Sequence, residues 1–215
     1  MRIHITHINN TYNYGSFMMA ITIIERLKRE FKDVEIYVDS SSDKDLERIK
    51  LETGIERVYR DNIGAGKNII ERCFNKLKRI NINRNLKKIN TMIIIGGDDI
   101  SEYYGIEALE NELKKIKEKS EKTSIYLLGQ TIGPFSQGRG EMAREYLKNT
   151  KIYTRDDKCF EYLKKLDFKN IKKGRDLAFA NLPMQSSRKN ILTKYKLDPN
   201  EYITIVPSGL IKWYT

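Results

Sequence analysis

The chain has 215 residues, 40% hydrophobic and 32% charged, with a formal net charge of +11. That is enough apolar material for a core, and the composition is not that of a disordered chain. The longest aliphatic run, Met92-Ile93-Ile94-Ile95, is far too short to span a bilayer.

The N-terminal segment 2–8 (RIHITHI) alternates as a strand does and lacks the apolar core of a signal peptide, so a cytoplasmic protein is expected. Next, Phe17, Ala20, Ile21, Ile24, Leu27 and Phe31 recur at helical spacing. Residues 34–38 alternate as a second strand. Residues 43–52 are charged and read as a helix, and 55–59 as a short strand. Ile69, Ile70, Cys73, Phe74 and Leu77 define another amphipathic helix. A strand is expected at 92–95, a long helix at 107–119 and a strand at 124–129. Helix 140–149, strand 151–154 and helix 156–166 follow. This alternation predicts an α/β fold, a Rossmann-like parallel sheet with helices on both faces, over residues 1–182. Residues 183–215 read differently. A loop or linker at 181–190 leads to a polar stretch and a strand at 202–206 ending in Pro207-Ser208-Gly209, as in the truncated start of a second α/β domain.

Much of the positive charge is local. Arg72, Lys76, Lys78, Arg79, Arg84, Lys87 and Lys88 fall between 72 and 90 with no acidic residue among them. Such a run is either a solvated helix face or an attraction for anions. No aromatic residues interleave with it to stack bases, and no nucleic-acid-binding module is visible, so nucleic acid is not an expected partner. Peripheral contact with the inner face of a membrane through 72–88 is. Cys73 and Cys159 have no metal-type spacing and are expected to be packing thiols; no metal site is expected.

In an open parallel sheet, ligands bind at the carboxyl ends of the strands. After the first strand come Asn13, Tyr14, Gly15 and Ser16, where Gly15 permits close approach and Ser16 can cap a helix. After 92–95 come Gly96, Gly97, Asp98 and Asp99. The glycines allow a tight turn; Asp99 is expected mainly as a helix cap, and Asp98 to face the cleft. Gln130 stands in the loop 129–135 (GQTIGPF), placed to meet a ligand. Arg155 ends the next strand, a natural clamp for carboxylate or phosphate. Asp176 closes the series. His7 reads as a strand-end or core residue.

Taken in order, Asn13-Tyr14-Gly15-Ser16, Gly96-Gly97-Asp98, Gly129-Gln130-Thr131-Ile132-Gly133-Pro134, Arg155-Asp156 and Asp176-Leu177-Ala178-Phe179 resemble the polysaccharide pyruvyl transferase family. The most specific element is the Gly-Gln-x-Ile-Gly-Pro segment. The resemblance implies that the chain is the N-terminal domain of a GT-B-like, two-domain architecture. It also implies transfer of a pyruvyl group from phosphoenolpyruvate to a sugar of a cell-surface polysaccharide or its lipid-linked precursor, with no metal or organic cofactor. Asp98 and Arg155 are then the catalytic candidates. Asn13, Tyr14, Gly15, Ser16, Gly96, Gly97, Gln130 and Asp176 are the substrate-binding ones. Two features depart from the family's pattern. Ser16 stands where many members carry Asp, and no Arg-x-His motif is present. Two other readings share the fold: a GT-B glycosyltransferase using a nucleotide sugar, and a non-catalytic module binding glycans or anions.

Overall fold

A computed structural model describes residues 1–8, 10–60, 68–136, 138–180, 191–198 and 201–203. Seven strands form one sheet: β1 (Arg2–Thr6), β2 (Glu35–Ser40), β3 (Val58–Arg60), β4 (Thr91–Ile95), β5 (Ser124–Gln130), β6 (Thr150–Thr154) and β7 (Ile171–Lys173). Their order is β3-β2-β1-β4-β5-β6-β7 and every neighbouring pair is parallel. The order reverses between β1 and β4, which puts the crevice of this doubly wound sheet at their carboxyl ends.

Alternation along the strands builds two apolar layers. Ile3, Ile5, Ile36, Val38, Ile93 and Ile95 face α1 (Tyr14–Glu30) and α2 (Asp43–Thr53). Met92, Ile94, Ile125, Leu127 and Ile152 face α4 (Ile106–Ser120), α5 (Arg139–Leu147) and α6 (Asp157–Lys165). The expected α/β sheet with helices on both faces is therefore present. The remaining helix of this unit, α3 (Ile69–Leu86), buries no residue.

Several boundaries differ from the sequence reading, each for a local reason. β1 stops at Thr6 because His7 takes a left-handed backbone, φ 70°, which cannot continue a strand. β3 begins at Val58 rather than Ile55. β7 was not legible, because only Ile171 of its three residues is apolar and it is an edge strand. Cys159 is a buried packing thiol as expected, but Cys73 is exposed on α3.

The chain divides into two compact units, Met1–Pro183 and Met184–Thr215. In the second, residues Ile191–Tyr195 form a short helix, α7, that the polar sequence did not announce. Tyr202 and Ile203 are not in a strand; the rest of the expected strand at 202–206, and the expected loop at 181–190, lie outside the described residues. No helix among the described residues is long and apolar enough to cross a membrane.

Candidate functional site

Thr11, in the loop after β1, is tied to α2. Thr11 donates from both its amide and its hydroxyl to Asp45 Oδ1, at 2.9 and 2.6 Å. Arg48 of α2 donates to the Thr11 carbonyl at 2.8 Å and lies over the rings of Tyr12, Tyr14 and Phe17. The rings of Tyr12 and Tyr14 are nevertheless mostly exposed. Asn13, not Ser16, caps α1: its side-chain oxygen accepts from the Ser16 amide at 3.4 Å. Gly15 is open, since an added Cβ would touch only the Asn13 side chain.

At β4 the two glycines serve different neighbours. A Cβ on Gly96 would stand 2.5 Å from Asp99 Oδ2 and 3.0 Å from Gln130 Nε2. A Cβ on Gly97 would stand 3.4 Å from Arg155 Nη1. Gly96 thus leaves room for Asp99 and Gln130, and Gly97 lets the Arg155 guanidinium lie beside the turn that carries Asp98. Gly96→Ala is expected to push Asp99 off its seat and cost about 1–3 kcal/mol, the usual range for overpacking; thermal unfolding measures it.

Asp98 and Asp99 diverge. Asp98 is half-buried, and its Oδ1 accepts a hydrogen bond from the Tyr104 hydroxyl at 2.9 Å. That bond, with burial and the nearby carboxylates, raises the Tyr104 pKa above its usual value. The Asp98 carbonyl accepts from Ser101 Oγ at 2.7 Å, and Ser101 caps a 3₁₀ turn at Glu102–Tyr104. Asp99 caps nothing, contrary to expectation. α4 starts only at Ile106, behind Gly105 and without a side-chain cap. Asp99 Oδ2 instead sits 3.3 Å from His7 Nδ1, while His7 Nε2 sits 3.1 Å from Glu112 Oε1 on α4. With a carboxylate at each ring nitrogen, only the doubly protonated imidazolium donates to both. Burial opposes that charge, but the bonds to Asp99 and Glu112 outweigh it and raise the His7 pKa to about 9. His7 in turn, against the effect of burial, holds the Glu112 carboxyl down at about 2. Neither His7 nor Glu112 was singled out as a site residue from sequence. The only local signal was a histidine at the carboxyl end of an alternating strand.

The loop after β5 is stitched to the β4 turn. The Thr131 amide donates to the Gly97 carbonyl at 2.7 Å, the Gly133 amide donates to the Ile100 carbonyl at 2.8 Å, and Ile100 bridges Ile132. Gln130, expected to line the cleft, lies beneath it. It is fully buried, and its Nε2 reaches the Ile94 carbonyl at 3.5 Å. The reason is register: a bulge between Leu128 and Gln130, with Gly129 at φ 67°, turns the amide inward. Gln130 Oε1 and the hydroxyls of Thr131 and Thr154 are buried without a hydrogen-bond partner among the described residues. Each such group costs about 1–3 kcal/mol, so the floor of the crevice is kept polar at the expense of stability.

Beyond β6, Arg155 and its neighbours separate cleanly. Asp156 caps α6, accepting from the Cys159 amide at 2.7 Å, and Asp157 pairs with Lys173 at 2.8 Å. Arg155 Nη1 faces Asp176 Oδ2 at 3.7 Å and keeps a third of its side chain exposed. Asp176 has a second task, capping the 3₁₀ turn Leu177–Phe179 from its Oδ1 at 2.9 Å to the Ala178 amide. The long Arg155–Asp176 pair orients a guanidinium without saturating its five donors. Outside this row a depression of about 330 Å³ opens, lined in part by Tyr103, Thr131, Gly133, Pro134, Lys158 and Tyr162. No group of three or more His, Cys, Asp or Glu among the described residues is arranged to hold a metal.

Gly96, Gly97, Asp98, Gln130, Arg155 and Asp176 therefore gather at one crevice, and Asn13–Ser16 stand at the carboxyl side of β1, the strand beside β4. The family description that matches the chain is polysaccharide pyruvyl transferase, over residues 13–214. The chain belongs to the polysaccharide pyruvyl transferase family. No curated protein and no solved structure matches it. The match covers nearly the whole chain and takes in every expected site residue from Asn13 to Asp176. His7 stands upstream of it, at the end of β1. Membership in the polysaccharide pyruvyl transferases indicates a transferase whose acceptor is a polysaccharide and whose transferred group is pyruvyl.

Proposed function

We propose that the crevice takes phosphoenolpyruvate as donor and a sugar of a cell-surface polysaccharide, or of its lipid-linked precursor, as acceptor. The observation that carries this reading is the pairing of an unsaturated Arg155 guanidinium with the Gly97–Asp98 turn directly beside it. Phosphoenolpyruvate brings a carboxylate and a phosphate, and a guanidinium fork fits either. In the reaction, a proton adds to the enol CH₂ carbon and an acceptor hydroxyl oxygen bonds to the neighbouring carbon. The bond from that carbon to the phosphate oxygen breaks, inorganic phosphate leaves, and a second hydroxyl closes the ketal, its proton going to the departing phosphate. Asp98 accepts the hydroxyl proton as that oxygen attacks, with Tyr104 fixing its carboxylate. Asp176 holds Arg155 in place. The exposed rings of Tyr12, Tyr14, Tyr103 and Tyr104 offer flat apolar faces to the acceptor's sugar rings. Asn13, Gly15 and Ser16 present the start of α1, whose free amides favour an anion. The architecture that goes with this reading is the GT-B-like, two-domain one that the resemblance implies.

The test uses the longest natural form of the protein with phosphoenolpyruvate and a panel of glycan acceptors, following phosphate release and product mass together. Phosphate released in step with a pyruvylated sugar is the expected result. Turnover of a nucleotide sugar with no reaction of phosphoenolpyruvate would move the site to glycosyl transfer. Binding of glycan without turnover of either donor would make it a binding module. Arg155→Ala is expected to raise KM for phosphoenolpyruvate about tenfold or more, as loss of a charge-assisted clamp does. Arg155→Lys should recover part of that loss, since it restores charge without the fork.

A further inference from the structure

α3 is built for a surface that the described chain does not supply. Ile69, Ile70, Phe74, Leu77 and Ile80 are 49–81% exposed, and Cys73 among them is exposed too. At the α-helical step of about 100° per residue these six fall within an arc of about 140°, one continuous stripe. Of the helix's four half-buried residues, Asn75, Ile82 and Leu86 lie on the opposite side and Asn85 lies in the last turn. The helix therefore rests on the protein by its back and turns its apolar stripe outward. An amphipathic helix of a globular core does the reverse.

The charges flank that stripe. Lys76 borders one edge and Lys78 the other, with Lys78 Nζ 4.9 Å from the Phe74 ring centroid. Arg84, Lys87 and Lys88 follow at the C-terminal end, and Arg72 and Arg79 stand further round. Glu71 is the single acidic residue between 68 and 90, and it lies on the back. An apolar stripe with a lysine at each edge and three cations at its C-terminal end matches an interface that is apolar in depth and anionic at its rim.

We propose that α3 is a membrane-surface helix that lies flat on an anionic lipid bilayer, its isoleucines, leucine and phenylalanine among the acyl chains and its lysines and arginines at the lipid phosphates. Nucleic acid would leave the stripe unused. An acidic protein or a second copy of the chain would have to bring a complementary groove, whereas a bilayer fits any straight exposed stripe. The proposal is independent of which donor and acceptor the crevice takes.

Co-sedimentation of the full chain with vesicles tests it, using phosphatidylcholine alone or mixed with phosphatidylglycerol. Binding to the anionic vesicles should exceed binding to the neutral ones by about tenfold or more and weaken as salt rises. Ile70→Asp with Phe74→Asp should lower vesicle binding by about tenfold or more, because both side chains leave the acyl region. Both positions are exposed, so unfolding is not expected; an unchanged far-UV circular dichroism spectrum verifies that. Three results would overturn the proposal. One is no preference for anionic vesicles. A second is binding unaffected by the paired substitution. The third is a dimer in sedimentation velocity that the same substitution dissolves, which would make the stripe an interface between copies.

Discussion

Asp98→Asn is expected to leave the fold intact and to remove transfer activity, by a factor on the order of 10²–10⁴, the usual contribution of a positioned general base. The structural part of Asp98 survives the change. Its carbonyl still accepts from Ser101, and an asparagine side-chain oxygen still accepts from the Tyr104 hydroxyl. What disappears is the negative charge and the capacity to take a proton. The thermal midpoint should therefore move little while kcat for phosphate release collapses. Tyr104→Phe is a graded companion: it removes the donor that fixes Asp98 and should cost less, because the carboxylate remains. A fully active Asp98→Asn enzyme would assign the proton transfer to another group.

The second large effect concerns stability. His7→Asn should destabilise the protein on the order of 3 kcal/mol at neutral pH, because it leaves Asp99 and Glu112 facing one another without their cation. Asparagine is chosen because it tolerates the left-handed backbone of position 7. The pH dependence has a definite sign. The imidazole pKa is about 9 in the folded protein against 6.5 as the ordinary value. The stability that His7 contributes is then present in full below pH 6.5, declines from 6.5 to 9 and is gone above 9. Glu112 works the other way: held at about 2 against 4.5, it contributes fully above pH 4.5 and is lost as pH falls through 2. The groups facing this cluster are Asp99 from the β4 turn, Glu112 from α4, and Lys115, which pairs with Glu112 at 3.4 Å. Urea midpoints taken across pH 6.5 to 9 should fall for the wild type and stay level for His7→Asn. Parallel curves would show that His7 does not carry the charge.

Those two residues illustrate how differently the parts of this site could be read in advance. Gly96-Gly97-Asp98 was legible because an aliphatic run ending in two glycines has few uses other than a buried strand turning at its carboxyl end. Arg155 was legible as a cation at the end of the next strand. Asp99 was misread because an acidic residue shortly before a helix is usually a cap; the helix expected at 107–119 does begin at Ile106, too far along for Asp99 to cap, and nothing local announced that His7 would take the carboxylate. Gln130 was placed at the right strand end and the wrong depth. A single-residue bulge at Gly129 reverses which way a side chain points, and periodicity does not show bulges. The apolar stripe of α3 was legible as one face of an amphipathic helix; only the fold shows that it points outward.

The sequence on its own carried the alternation of strands and helices, the parallel class of the sheet, and the turns at the carboxyl ends of its strands. Those follow from hydrophobic period and from glycine, which act over a few residues. The tertiary structure alone decided the partners, His7 with Asp99 and with Glu112, 92 and 105 residues away, and Arg155 with Asp176, and it alone turned the apolar stripe of α3 outward. A charge pair or a packed face depends on which strands become neighbours and in what register, and that is settled by the free energy of the whole fold rather than by any local stretch.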